Sequence, residues 1–126
     1  STAVTLAALA ANGTGTLHSV DISPEVGGLV TDRERWRLHV VDPLADDFER
    51  VVAGLPSIDL FLHDGDHSYA AQTREYEAVW PRMHEGGVFL SDDVDYSWAF
   101  VHFLDRKGLR PHLLMEQRKS VGAVRR

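Results

Sequence analysis

The chain contains no cysteine, which removes disulfides and thiolate metal sites and leaves oxygen and imidazole as the available metal ligands. It also lacks a surplus of positive charge. Thirteen Lys and Arg stand against nineteen Asp and Glu, a formal net charge of -6. That balance argues against a nucleic-acid-binding domain held by phosphate contacts and favours small molecules or other proteins as partners, with a homo-oligomer left open. Long apolar runs are missing too. No stretch approaches a membrane span, and the apolar opening from Ala3 to Ala11 has no positively charged flank of the signal-peptide kind. The sequence therefore reads as cytoplasmic, with no membrane partner, and shows no internal repeat, linker or low-complexity tract.

What is present is 126 residues, 44% apolar and 25% charged, enough for one packed core, so 1–126 reads as a single domain. At this size a chain buries roughly two-thirds of its unfolded surface and needs no covalent staple. Seven of the thirteen basic residues fall in the last 21 positions, Lys119 among them, and read as a solvated face and tail. Position 1 is Ser, and the first residues already look like the inside of a helix, so the expectation is a piece of a longer, N-terminally truncated domain.

Ser1-Thr2, followed by Ala3 to Ala11 and then Asn12-Gly13, predicts a helix with a hydroxyl cap before it and a glycine stop after it. Leu17 to Ile22 predicts a strand, followed by the Ser23-Pro24 turn signal. Glu25 to Arg35 reads as weakly helical, Arg37 to Val41 as a second strand, and Leu44 to Leu55 as a helix. Ile58 to Leu62 is the clearest strand and runs into the polar loop His63-Asp64-Gly65-Asp66-His67-Ser68-Tyr69. Ser68 is a plausible cap for a helix carrying Tyr69, Tyr76, Val79, Trp80 and Met83 at helical spacing, closed by Pro81 and Gly86-Gly87. Val88 to Leu90 then predicts a strand, Tyr96 to Lys107 a helix ended by Gly108, and Pro111 to Glu116 and Ser120 to Val124 two final strands.

Alternating strands and helices, with short apolar strands that look buried on both faces, predict an α/β fold around a parallel sheet. In such sheets a ligand sits outside the carboxyl ends of the strands, and each of the first four strands ends in acid: Asp21, Asp42, Asp64, and Asp92 with Asp93. At the end of an early strand, Asp21 can accept hydrogen bonds from both hydroxyls of a ribose. Asp42, one strand out, would lie near an adenine amine, or simply end a turn before Pro43. Asp64, Asp92 and Asp93 should come from neighbouring strands, where clustered carboxylates repel unless a cation neutralises them. A hard divalent ion such as Mg²⁺ suits that oxygen-rich set; the plainer reading is helix capping or water binding. His67, with an unperturbed imidazole pKa of about 6.5, suits the removal of a proton from a polarised hydroxyl.

These residues carry a resemblance. Ile58 to Tyr69, followed by a helix and then by Gly86-Gly87-Val88-Phe89-Leu90-Ser91-Asp92-Asp93, resembles the class I S-adenosylmethionine-dependent methyltransferases. Within them it is similar to the branch with a DGDHSY-type loop, related to metal-dependent catechol, caffeoyl-CoA and sugar O-methyltransferases. The resemblance implies a Rossmann-like sheet, mostly parallel with an antiparallel C-terminal strand. It implies S-adenosylmethionine and Mg²⁺ or another hard divalent cation as cofactors, and a small-molecule hydroxyl as acceptor. Cofactor contacts fall at Ser1, Asp21, Ile22, Asp42 and Asp64, and metal ligation at Asp64, Asp92 and Asp93. His67 occupies the place of a catalytic lysine in the caffeoyl-CoA enzymes and would act as the base. Asp95, Tyr96 and Trp98 are candidates for lining the acceptor pocket, or for packing at a helix start. The departure is at the amino end, where the family's first, central strand and its glycine-rich turn are lacking. A gap there would expose two rows of unpaired backbone groups.

Three other classes share parts of this pattern. A receiver-type phosphoacceptor domain also gathers carboxylates at strand ends but needs a lysine at the end of a late strand, a place neither Lys107 nor Lys119 is read to occupy. A metal-dependent sugar-nucleotide glycosyltransferase could use Asp64-Gly65-Asp66. A degenerate Rossmann-like binding module would need none of the chemistry.

Overall fold

The computed structural model describes residues 2–45 and 47–126; Ser1, expected to contact the cofactor, lies outside the described residues. They form two compact units, 1–48 and 49–126. In the first, helix α1 (Thr2–Asn12) stops at Gly13, whose φ of +72° only glycine adopts freely and whose N–H bonds back to the Ala10 carbonyl at 3.1 Å. Strands β1 (Leu17–Asp21) and β2 (Trp36–Val40) pair in parallel from Leu17↔Trp36 to Asp21↔Val40. The Arg35 guanidinium ties this pair to the end of α1 by donating to the carbonyls of Gly13 (3.0 Å) and Gly15 (3.3 Å).

Residues 25–35 are not helical, contrary to their weak pattern; the segment is a series of turns. The cause is Gly27, with a φ of +71° and the Trp36 ring lying 2.1 Å from where a Cβ would stand. Trp36 is buried, donates from its indole N–H to the Ser19 hydroxyl at 3.0 Å, and carries the Arg33 guanidinium 5.0 Å above its ring. Packing the indole against bare backbone outweighs a helix propensity that two adjacent glycines had already weakened.

Helix α2 (Asp47–Gly54) spans the division between the units and is shorter than expected, because Leu44 and Ala45 are taken up by a turn that Asp42 organises. The second unit holds β3 (Ile58–His63), α3 (Tyr69–Val79) with a 3₁₀ turn at Trp80–Arg82, β4 (Met83–Asp92), α4 (Ala99–Arg106), β5 (His112–Glu116) and β6 (Lys119–Arg125). The sheet order is β3-β4-β6-β5, with β3 parallel to β4, and β6 antiparallel to both its neighbours. Ser68 caps α3 by accepting from the Ala71 N–H at 3.3 Å. Gly86 and Gly87 do not close this helix as expected; Pro81 in the 3₁₀ turn does, and both glycines lie inside β4. There they serve an irregularity in which the register jumps from Ile58↔Met83 to Leu60↔Val88. A Cβ on Gly87 would stand 2.9 and 3.1 Å from the carbonyl oxygens of His84 and Asp59.

The core lies on one face of this sheet. Tyr76 from α3, Phe89 from β4, and Phe100, Phe103 and Leu104 from α4 are all fully buried. Their rings interlock around Phe89, with centroids 4.8 Å from Phe61, 5.3 Å from Tyr76 and 5.7 Å from Phe103, and each such side chain contributes about 2–3 kcal/mol of burial. Burial on both faces, expected for these strands, is not found. Both helices pack on the Phe89 face, and on the other face Leu60 and Leu62 are 54% and 45% exposed. Among the described residues no helix is long and apolar enough to cross a membrane.

Candidate functional site

In the second unit the parallel pairing ends at His63↔Ser91. One residue further along, Asp64 and Asp92 leave neighbouring strands side by side. Asp93 follows in a left-handed conformation, φ +48°, the one positive φ outside glycine among the described residues. The turn behind it is fastened to β6: the Val94 N–H reaches the Ser120 carbonyl (3.2 Å), the Asp95 N–H reaches the Ser120 hydroxyl (3.2 Å), and that hydroxyl donates to the Asp95 carboxylate. The strain at Asp93 is therefore held by buried Ser120.

Because β6 runs antiparallel to β4, its first residue lies at the rim where β4 ends. Lys119 donates its ammonium to the Asp92 carboxylate and also feels the charges of Asp93 and Asp64. Its Asp92 hydrogen bond is the main force raising its pKa, against partial desolvation and together with those three charges. For Asp92, burial pushes the pKa up. The Lys119 hydrogen bond, the Asp93 backbone N–H, the Lys119 charge and a contact with Asp64 overcome it, so the carboxyl is held below its ordinary value. Asp92 is 7% exposed, and its Oδ1 is buried without a hydrogen-bond partner.

His67 stands on the loop between β3 and α3, its Nδ1 3.8 Å from the Asp93 carboxylate. Its ring centre lies 5.9 Å from that of His63 and 6.0 Å from that of Tyr96, and its Nε2 is buried without a hydrogen-bond partner. The loop is shaped by Asp66, which accepts from the Ser68 N–H at 2.8 Å. That bond, with the Ser68 hydroxyl, holds the Asp66 carboxyl below its ordinary value against slight desolvation, helped by the charges of His67 and His63. Beneath the loop, buried His63 meets Glu75 of α3 at 3.0 Å. Tyr76 and Ser91, both fully buried, share a 2.6 Å hydrogen bond directly behind Asp92. Tyr96 and Trp98 are exposed; Trp98 stacks on His102, whose Nδ1 is 3.2 Å from the Tyr69 hydroxyl.

The structure thus brings Asp64, Asp92, Asp93 and His67 together. Asp21, Ile22 and Asp42 belong to the first unit. There the Asp21 carboxylate accepts from the Ser23 N–H (2.8 Å), the Asp42 carboxylate accepts from the Leu44 N–H (2.8 Å), and Ile22 is exposed. Both acids organise the turns that follow their strands, the structural role open to such residues. Lys119, grouped by sequence with a solvated basic tail, is instead the ion-pair partner of Asp92. Its only sequence signal is its position at the start of a strand that follows a tight turn.

For a divalent cation the residue types are suitable: three carboxylates at adjacent strand ends, one of them with a buried oxygen that has no partner. Among the described residues, however, no three His, Asp or Glu side chains are arranged to hold a metal ion. Asp92 pairs instead with the Lys119 ammonium.

A family model described as a methyltransferase domain matches residues 1–94, and the chain belongs to that family. The family match also disposes of the receiver reading, and Lys119 begins its strand rather than ending it. No curated protein matches the chain in sequence. Solved structures share its fold at low identity. One is the MycE methyltransferase of the mycinamycin biosynthetic pathway, in complex with Mg, SAH and mycinamycin VI: TM-score 0.62, 16% identity, 86% of this chain and 36% of that one. A Streptococcus mutans protein named as a SAM-dependent methyltransferase gives 0.63 and 13%, over 88% of this chain and 38% of the other. A second methyltransferase-named protein from Streptococcus mutans, in complex with SAH, gives 0.58 and 12%, over 87% and 75%. The chain therefore spans little more than a third of the length of the first two. Its mixed α/β fold, with two sheets and four helices among the described residues, is that of methyltransferase structures.

Proposed function

We propose that this chain is part of an S-adenosylmethionine-dependent O-methyltransferase of the DGDHSY-loop branch, which methylates a hydroxyl of a small molecule with the help of a divalent cation. The observation that carries the reading is the placement of Asp64, Asp92 and Asp93 at the ends of adjacent strands, with His67 Nδ1 3.8 Å from Asp93 and its Nε2 without a partner. MycE, which shares the fold, is described with the same pairing of Mg and SAH. Asp21, Ile22, Asp42, Asp64 and Ser1 are the proposed cofactor contacts. Asp21 would hold the ribose and Asp42 the adenine side, each with one carboxylate oxygen steadied by its own turn.

Asp64, Asp92 and Asp93 would hold the cation, which when bound lowers the pKa of the acceptor hydroxyl and fixes its direction. His67 takes the hydroxyl proton at its free Nε2 while Asp93 faces its Nδ1, and transfer is in line from the sulfonium to the substrate oxygen. Tyr96 and Trp98 offer exposed aromatic faces beside that point for the acceptor. β1 and β3 each pair on one edge only among the described residues. We propose that a further strand with a glycine-rich turn completes this 1–126 domain in the whole protein.

The test is calorimetric titration of S-adenosylhomocysteine into the protein carrying this chain, with and without Mg²⁺. Binding in the micromolar range, followed by methylation of a catechol or sugar hydroxyl only with the cation present, is expected. Absence of binding under both conditions overturns the reading in favour of a glycosyltransferase or a non-catalytic module. Methylation at full rate in EDTA removes the cation from it.

A further inference from the structure

The sheet of the second unit ends at β5, which pairs with β6 alone among the described residues. All five of its residues, His112-Leu113-Leu114-Met115-Glu116, are exposed, the three large apolar ones by 48%, 68% and 72% in that order. Edge strands of monomeric proteins are commonly blunted against further pairing by a lysine, a proline or a bulge. β5 has none of these: its register runs unbroken from His112↔Ala123 to Glu116↔Lys119, and Pro111 stands outside it. The backbone is open as well. The hairpin turns over Gln117 and Arg118 with Glu116 opposite Lys119, so the alternation of antiparallel bonding directs the N–H and C=O groups of His112, Leu114 and Glu116 toward β6 and leaves those of Leu113 and Met115 on the free edge.

The order of side chains along this edge complements itself. In an antiparallel pair of β5 strands with Leu114 facing Leu114, Leu113 meets the partner's Met115 and His112 meets the partner's Glu116, each twice. This register overlaps all five residues, and it also sets the outward-facing backbone groups of Leu113 against those of the partner's Met115, which supplies about four hydrogen bonds between the chains. The side chains sort by face in the same way. Leu113 lies opposite Gly122, whose backbone presses on the Phe100 ring, so Leu113 and Met115 stand on the helix-bearing side. His112, Leu114 and Glu116 stand on the other, where an imidazole N–H would meet a carboxylate at each end of an apolar centre.

We propose that β5 is the interface of a homodimer, in which the four-stranded sheets of two copies join edge to edge across a two-fold axis at Leu114. A second copy is the occupant that fits, because the edge offers apolar groups where its own apolar groups would lie and a carboxylate where its own histidine would lie. The proposal is independent of the methyl-transfer chemistry given above and stands or falls without it.

Sedimentation velocity of the whole protein carrying this chain, at micromolar concentration, should show a dimer. Leu114→Lys sets two like charges face to face on the axis and should weaken the dimer by about tenfold or more. Leu114 is exposed in the single chain, so the circular dichroism of this variant should match the wild type. Cross-linking then reads the register. The chain has no cysteine of its own, and facing residues at a non-hydrogen-bonded position have Cα atoms about 4.5 Å apart, within the span of a disulfide. Under oxidation Leu114→Cys should become a covalent dimer, whereas Leu113→Cys, which faces the partner's Met115 rather than itself, should cross-link no more than the wild type treated in parallel. A monomeric wild type, a dimer indifferent to Leu114→Lys, or a Leu113→Cys cross-link as complete as that of Leu114→Cys overturns the proposal.

Discussion

The hydrogen bond between Tyr76 and Ser91 allows a quantitative test of how the rim is supported. Both residues are fully buried, their oxygens lie 2.6 Å apart, and Ser91 also donates weakly to the Asp92 carbonyl at 3.3 Å. Tyr76→Phe removes one bond but leaves the Ser91 hydroxyl its second partner, so the loss should be about 1 kcal/mol. Ser91→Ala is worse. The Tyr76 hydroxyl would be stranded in a site that water does not reach, at about 2–3 kcal/mol. The double variant removes donor and acceptor together and should lose about 1–2 kcal/mol less than the sum of the single losses, because neither group is then left unpaired. Equilibrium urea denaturation of the four proteins measures the cycle. Additive losses would refute the reasoning, since they would mean that each hydroxyl finds another partner when the first is removed.

The same tyrosine yields a pH dependence. Burial, opposed by the Ser91 hydrogen bond and reinforced by the Glu75 charge, raises the Tyr76 pKa from 10 to about 12. Between those values the unfolded chain has lost a proton that the folded one keeps, so stability present below pH 10 should fall as pH rises toward 12. In Tyr76→Phe that fall should be smaller; an unchanged slope in urea denaturation across pH 9.5–11.5 would assign it to other groups. Gly122→Ala should destabilise by about 1–3 kcal/mol, because a Cβ there would stand 2.2 Å from the Phe100 ring; a neutral effect on the melting temperature would show that the ring yields. Asp92→Asn combined with Asp93→Asn should abolish stimulation by divalent cation while leaving affinity for S-adenosylhomocysteine largely intact, and activity that survives unchanged would remove both residues from cation binding. His67→Ala should lower turnover by about 10²-fold or more with little change in cofactor affinity. Turnover equal to the wild type would exclude it as the base.

Much of this protein follows from local chemistry, which a sequence carries in full. The Ser68 cap, the Gly13 and Gly108 stops and the apolar run from Ile58 each depend on a few neighbouring residues, and the element ends they mark fell within a residue or two of expectation, whereas α4 began three residues later than expected, at Ala99. The alternation of strand and helix likewise sufficed for the α/β class, and the DGDHSY loop for the family. Asp64, Asp92 and Asp93 could be placed on one rim because parallel strands bring their carboxyl ends together. Local patterns failed where a distant group decided. Trp36 turned residues 25–35 into turns, and the register shift against β3 drew Gly86 and Gly87 into a strand. The Glu75 partner of His63, the Ser91 partner of Tyr76 and above all Lys119 were invisible for the same reason. Lys119 is 27 residues from Asp92, and nothing between them encodes the meeting. It follows from the antiparallel return of β6 beside β4, which pairs Asp92 with Val121 and so brings the start of β6 to the rim where β4 ends. The ends of strands are determined by short-range sequence; which charge answers which across a sheet is determined by pairing direction and register, and these exist only once the chain has folded.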